Sequence, residues 1–361
     1  MTTAPTPPFN RSDWIVIGGS SGAFVLAGVT RYMGGGAVVA FACSALAVTL
    51  LAALVGGSVE QLGDRFGPGA TGVLQSALGN LPELFIALFA LKAGLVAVVQ
   101  AALIGSILAN LLLVLGLCFV VGGLKHGTQQ LGSERARGIS VLMLLSVGAL
   151  LLPSMASYVH APAATHEGTL SLIVSIILLL LFCMTLPASL KRGSSRLSTE
   201  VTAHQEAPRW SLVLAVGLLA AASILAAFVS DWFVHALEPA MATLHISDAF
   251  AGLVIVAIAG NAIENVVGVQ LAARNQSEYA FSVVVNSPLQ IALVLAPLLV
   301  ILSQVFGLAP LTLVFTPMLV VSVAIAVLIT AFITVDGESN WIEGAALIAV
   351  YAIIATAFWW G

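Results

Sequence analysis

Residues 79–88, GNLPELFIAL, and residues 260–264, GNAIE, decide how this chain folds. Both read G-N-x-x-E, and both interrupt stretches oily enough for membrane hydrocarbon. An ionisable side chain inside a span costs on the order of 2.5 kcal/mol or more at the bilayer centre, and such residues are rare and functional. Glu83 and Glu264 therefore need a purpose. Twenty-three residues after Glu83 stands Ser106, within Gly105-Ser106-Ile107-Leu108-Ala109-Asn110. Twenty-three after Glu264 stands Ser287, within Asn286-Ser287-Pro288-Leu289-Gln290. A basic turn separates the two clusters in each half, at Lys92 and at Arg274.

Outward from these motifs, apolar residues make up 60% of the 361 and charged residues 8%, against roughly 25% charged in soluble domains. This is the composition of an all-α polytopic membrane protein. A span takes about 20 mostly apolar residues, so the length leaves no room for a soluble domain and the function must lie within the bilayer. The start, MTTAPTPPFNRSDW, is polar and proline-rich and reads as carrying no cleaved signal. Cys43, Cys118 and Cys183 fall within apolar spans without C-x-x-C spacing and read as small hydrophobic fillers. A net charge of −4 suggests no nucleic-acid partner, and no G-x-x-x-x-G-K-[ST] loop is present to bind ATP.

Breaks at Gly, Pro and charged clusters divide the chain into eleven expected transmembrane helices, beginning near residues 14, 36, 70, 96, 138, 168, 210, 247, 277, 311 and 340. Of the twelve Lys and Arg residues, only Arg31 and Lys92 then fall on the side opposite the N-terminus. The positive-inside bias puts the N-terminus in the cytoplasm and the C-terminus outside. The polar stretch 191–209 is cytoplasmic and reads as a solvated linker between halves.

The expected organisation is an N-terminal tail and extra helix over 1–34, a first five-helix repeat over 35–187, a linker over 188–209 and a second five-helix repeat over 210–361. An odd number of spans per repeat makes the halves antiparallel, and it places Lys92 and Arg274 on opposite faces. Secondary transporters are often built as such inverted repeats, with substrate bound near the midplane where broken helices meet. Gly79 with Pro82, and Gly260, mark the breaks.

Two facing carboxylates, Glu83 and Glu264, with oxygens from Asn80, Asn261, Ser106 and Ser287, would form an all-oxygen site of charge −2. That suits a hard divalent cation such as Ca²⁺. Without the cation, like charges in a low dielectric cannot both stay ionised, so the pair takes up protons. Metal and proton compete for the same oxygens, which is the physical basis of antiport. Asn110 lies four residues after Ser106 and Gln290 three after Ser287, so each shares a face with its serine. Each is either a further ligand or a packing bond, and the serines themselves are either ligands or small residues that let helices approach.

Other polar groups carry weaker signals. Glu60, Asp64, Asp231 and Glu238 sit at span ends and read as solvated helix ends or the lining of an ion vestibule. His160, His166, His235 and His245 fall in external loops without metal-ligand spacing, and Trp341, Trp359 and Trp360 read as interface anchors.

The stretches 79–117 (GNLPELFIALFALKAGLVAVVQAALIGSILANLLLVLGL) and 256–297 (VAIAGNAIENVVGVQLAARNQSEYAFSVVVNSPLQIALVLAP) resemble the paired motifs of the cation/proton exchangers, within the calcium/cation antiporter superfamily. Those proteins carry G-N-A-T-E-L followed by G-S-x-x-x-N, and G-N-A-A-E-H followed by G-S-S-x-Q. The resemblance covers nearly the whole chain. It implies the eleven-span exchanger fold, with Glu83 and Glu264 binding cation or protons and Asn80, Asn261, Ser106, Ser287 and Gln290 around them. It departs from the pattern at Pro82 for Thr, Asn265 for His, and Asn286 and Pro288 for Gly and Ser. Sodium-using relatives carry G-S/T-S-x-P-E motifs instead, which favours protons here.

The reading is a secondary active transporter, not an enzyme, that exchanges Ca²⁺ or a related divalent cation for protons by alternating access. It needs no cofactor beyond the transported Ca²⁺ and H⁺. Its partners are these ions and the lipid bilayer, and the expected location is a prokaryotic plasma (inner) membrane. The alternatives are Na⁺-driven calcium/cation exchange, a cation channel, against which the inverted halves argue, and an intramembrane hydrolase, for which no His-metal or Ser/Lys partner stands in the spans. The sequence carries no signal of oligomeric state.

Overall fold

The computed structural model describes residues 9–66, 78–193 and 209–360, with the side chains at 64, 66, 133–135, 185–193 and 262–264 outside that description. The described chain is helical apart from turns, one irregular segment and a two-stranded ladder. In order come α1 (Arg11–Met33), α2 (Ala37–Phe66), α3 (Leu81–Lys92), α4 (Val96–Leu108), α5 (Leu115–His126), α6 (Ser133–Tyr158) and α7 (Glu167–Gly193). After these come α8 (Leu212–Leu244), the short α9 (Asp248–Phe250), α10 (Ala257–Gly260), α11 (Ala262–Ala273), α12 (Ser277–Gln290), α13 (Ala296–Val305), α14 (Pro317–Thr334) and α15 (Trp341–Trp359).

Nine helices among the described residues are long and apolar enough to cross a membrane, and the pair Asp248–Gly260 and Asn265–Ala273, bent by 60° at its break, meets the same test when taken together. The protein is an integral, multi-pass membrane protein. Of the expected third span only α3 is described, because residues 67–77 lie outside the description, as do 194–208 of the linker.

The chain divides into two compact units. One comprises Met1–Phe89 with Phe182–Thr243, the other Ala90–Leu181 with Leu244–Gly361. In the first, Asn10 caps α1 by a reciprocal box with Asp13, each side chain accepting from the other's backbone N–H at 2.8 Å. Trp210, just before α8, is buried with Leu54, Val55, Val59 and Leu62 of α2. The Arg209 and Trp210 backbone N–H groups donate to Gln61 Oε1 at 2.9 and 3.2 Å, and the Arg209 guanidinium pairs with Asp13 at 3.2 Å. The end of the linker is thus fastened to α1 and α2.

In the second unit, three π-helical turns interrupt the spans: Ala109–Val114 joins α4 to α5, Ala251–Val256 joins α9 to α10, and Ile291–Leu295 joins α12 to α13. Each absorbs one extra residue without ending the helix, which rotates the succeeding turns by about 100°. Close backbone approach is built from glycine. A Cβ on Gly105 of α4 would stand 2.3 Å from Leu253 O, and one on Gly252 would stand 2.3 Å from Val98 O. Gly116 of α5 and Gly344 of α15 meet the same way, backbone against backbone. Strands β1 (Gln129–Gln130) and β2 (Glu338–Ser339) pair antiparallel.

Sequence patterning starts the tenth span near 311, but α14 begins at Pro317 and residues 306–316 are an irregular strap. Its middle is buried, with Leu311, Leu313 and Phe315 each at or below 1% exposed, so hydropathy reads these residues as hydrocarbon-facing when they are covered by protein. Helix is unnecessary because side chains satisfy the backbone. Gln100 Nε2 donates to Thr312 O and Val314 O at 3.0 and 2.9 Å, and Ser154 Oγ donates to Leu313 O at 2.9 Å. The Tyr158 hydroxyl donates to Phe315 O. Phe315 N–H donates to Ser154 Oγ, Leu313 N–H to Ser171 Oγ and Leu311 N–H to Ser303 Oγ. Ser154→Ala strips partners from two buried backbone groups and is expected to destabilise the protein by about 2 kcal/mol. Thermal unfolding in detergent checks this, and a wild-type midpoint would count against the strap's dependence on Ser154.

Candidate ion site

Both G-N-x-x-E motifs sit where a helix restarts. Gly79 and Asn80 form a turn, and α3 begins at Leu81. The break falls at that turn and not at Pro82, which is the second residue of α3, where a missing N–H removes no helical bond. Asn80 O accepts from Leu84 N–H at 2.9 Å. Glu83 lies in the first turn of α3 and is 5% exposed. In the second motif the break is Asn261 itself, between α10 and α11. Glu264 is the third residue of α11, but its side chain lies outside the described residues.

Within the second unit, four of the expected residues come together from three spans. Asn261 is 1% exposed, Ser106 and Asn110 are fully buried and Ser287 is 3% exposed. Asn110 Nδ2 donates to Asn261 Oδ1 at 2.9 Å, to Ser287 Oγ at 3.3 Å and to Ser106 O at 3.0 Å. Asn261 Nδ2 donates to Ser106 Oγ at 2.9 Å and Ala257 O at 2.8 Å, while Ser287 Oγ donates to Asn261 Oδ1 at 3.2 Å. Asn110 Oδ1 is buried and accepts no hydrogen bond. A buried carbonyl oxygen in that condition costs about 1–3 kcal/mol and asks for an explanation. Gln290 is half-buried at the end of α12, one turn beyond Ser287. Asn80 and Glu83 belong to the first unit.

Two π turns begin three residues after Ser106 and four after Ser287, the first of them carrying Asn110. The departures from the exchanger pattern also have places. Asn265 Oδ1 is buried without a hydrogen bond, and Asn286 Nδ2 donates to Ser282 Oγ of its own helix at 3.3 Å. Gln100, which clasps the strap, and the Gly105–Gly252 crossing beside Ser106 went unread in the sequence. A glutamine inside an apolar span six residues before Ser106 was the available signal for the first.

A multi-pass helical membrane protein, with a buried cluster of amides and hydroxyls gathered at a helix break, is the class this fold and site define. The chain belongs to the sodium/calcium exchanger protein family, whose sequence profile matches residues 36–191 and 214–360. It is similar to a Ca²⁺/H⁺ antiporter of Aphanothece halophytica, with 36% identity over 333 residues covering 88% of this chain and 89% of that protein. It is similar to the Ca²⁺/H⁺ antiporter ChaA of Bacillus subtilis (strain 168), with 39% identity over 324 residues covering 89% of this chain and 92% of that protein. The solved structure of native YfkE is 35% identical with a TM-score of 0.81, covering 96% of this chain and 99% of that one.

Proposed function

We propose that this protein exchanges Ca²⁺, or a related divalent cation, for protons by alternating access. The observation that carries the reading is the neutral cluster of Ser106, Asn110, Asn261 and Ser287, buried at the break that starts the helix of Glu264. Oxygen donors suit a hard cation, and Asn110 Oδ1, which accepts no hydrogen bond, is suited to meet one. Glu83 and Glu264 supply the charge and hold cation or protons in turn, with Asn80 and Gln290 as further members of the site. Similarity to two Ca²⁺/H⁺ antiporters over most of their length favours this cargo and coupling ion.

The two inverted five-helix repeats, 35–187 and 210–361, after the extra helix of 1–34, are part of the proposal. Recurrence of a π turn three or four residues after each serine supports them. So does the β1–β2 ladder, since the eleven-span order puts residues 129–130 and 338–339 on one face. The N-terminus and the 188–209 linker are then cytoplasmic and the C-terminus external, in a prokaryotic plasma membrane.

The coupling ion is testable directly. Everted vesicles with an imposed proton gradient are expected to take up Ca²⁺, and the same vesicles given only a Na⁺ gradient are not. Because protons compete for the carboxylates, lowering the pH by one unit raises the Ca²⁺ KM by up to about tenfold for each proton displaced. Uptake driven by Na⁺ alone, with a KM indifferent to pH, would replace this reading with sodium coupling.

A further inference from the structure

Asn261 stands among the expected ion ligands, but its hydrogen bonds point elsewhere. A primary amide has two N–H donors and one oxygen with two lone pairs. Both donors are committed, to Ser106 Oγ and to Ala257 O. The oxygen accepts from Asn110 Nδ2 at 2.9 Å and from Ser287 Oγ at 3.2 Å. Four capacities meet four partners in three different spans. Asn110 contrasts with it, since its Nδ2 serves the network and its Oδ1 accepts nothing.

We infer that Asn261 is a positioning residue of the ion site and not a ligand of the ion. It performs two tasks at once. Its side chain joins its own backbone N–H on Ala257 O, at 2.8 and 3.1 Å, and so closes off the last turn of α10 and fixes where α11 restarts. The same side chain draws Ser106 and Asn110 from one span and Ser287 from another onto that break. A cation claiming Asn261 Oδ1 would have to displace both donors and release the serine and the amide it is meant to use. The four hydrogen bonds form without an ion, so the inference separates from the exchange reading on which its functional meaning rests.

The test begins with purified protein in EDTA. Amide hydrogen exchange of segments 104–114 and 284–291 is compared between wild type and Asn261→Leu, which keeps the volume and removes every bond. Loss of four shared hydrogen bonds is expected to speed exchange by about tenfold or more in both segments with no ion present. Unchanged exchange overturns the inference, whatever the protein transports. Asn261→Asp supplies a second reading should the leucine variant not fold, because it retains the acceptor oxygens and removes both N–H donors. A positioning role predicts a Ca²⁺ KM raised at least about tenfold in proteoliposomes with the maximal rate largely kept. A ligand role predicts a KM equal to or below wild type, since a carboxylate binds Ca²⁺ more tightly than an amide; that result also overturns the inference. Wild-type protein that transports no Ca²⁺ but shows the exchange difference would sink the proposed function and leave Asn261's role standing.

Discussion

Vesicles carrying Glu83→Gln are expected to lose proton-driven Ca²⁺ uptake by at least about a hundredfold, and those carrying Glu264→Gln likewise. Glutamine preserves the size and most of the hydrogen-bonding capacity of glutamate while removing its charge and its titration. For Glu83, 5% exposed in the first turn of α3, solvent offers little compensation. Breaking a buried charge pair by removing one partner costs about 3–5 kcal/mol, and in the proposed site a dication would lose one of two carboxylates. The proton half of the cycle fails as well, because an amide takes up no proton in exchange. Loading of each variant into vesicles is matched by gel filtration and immunoblot. Full uptake by either variant would remove that glutamate from the mechanism.

The second large effect is expected at a residue with no side chain. Gly105→Ala places a Cβ 2.3 Å from Leu253 O and 2.4 Å from Leu253 Cα, and Gly252→Ala places one 2.3 Å from Val98 O and 2.7 Å from Ala101 Cβ. At Gly105 the atoms in the way are backbone, which no rotamer change relieves, so α4 and the 251–256 turn must separate. The expected cost is about 3 kcal/mol, the upper end of the range for overpacking, read as a lowered unfolding midpoint in mild detergent. Transport falls too, because Ser106 is the next residue and moves with the helix. Gly148→Ala in α6, where a Cβ meets nothing within 4 Å, is the control and should unfold at or slightly above the wild-type midpoint. Equal midpoints for Gly105→Ala and Gly148→Ala would mean that the crossing has room that its geometry denies.

Much of the candidate site was legible because its chemistry conflicts with its surroundings. Two serines at matched distances from two glutamates, with asparagines beside them, stand out in an oily chain, and Ser106, Asn110, Asn261 and Ser287 do converge. The long spans were legible for the complementary reason, that lipid demands about 20 apolar residues in a row. The features that patterning missed have the same physical origin. Leu311, Leu313 and Phe315 are apolar because protein covers them, and hydropathy does not distinguish that cover from lipid. The π turns have no composition of their own: ANLLLV, AGLVIV and IALVL would each pass as ordinary helix. Pro82 misled in the other direction, since a proline announces a helix start as readily as a break.

The strap of residues 306–316 bears on how such a protein can open. Seven hydrogen bonds to Gln100, Ser154, Tyr158, Ser171 and Ser303 hold its backbone. At about 1 kcal/mol net for each bond, a state with the strap peeled away would be populated in fewer than roughly one molecule in ten thousand. Such a state is a minor excursion from the fastened strap. The strap is thus fastened along its length to the second unit, and the five residues that grip it act as one clasp.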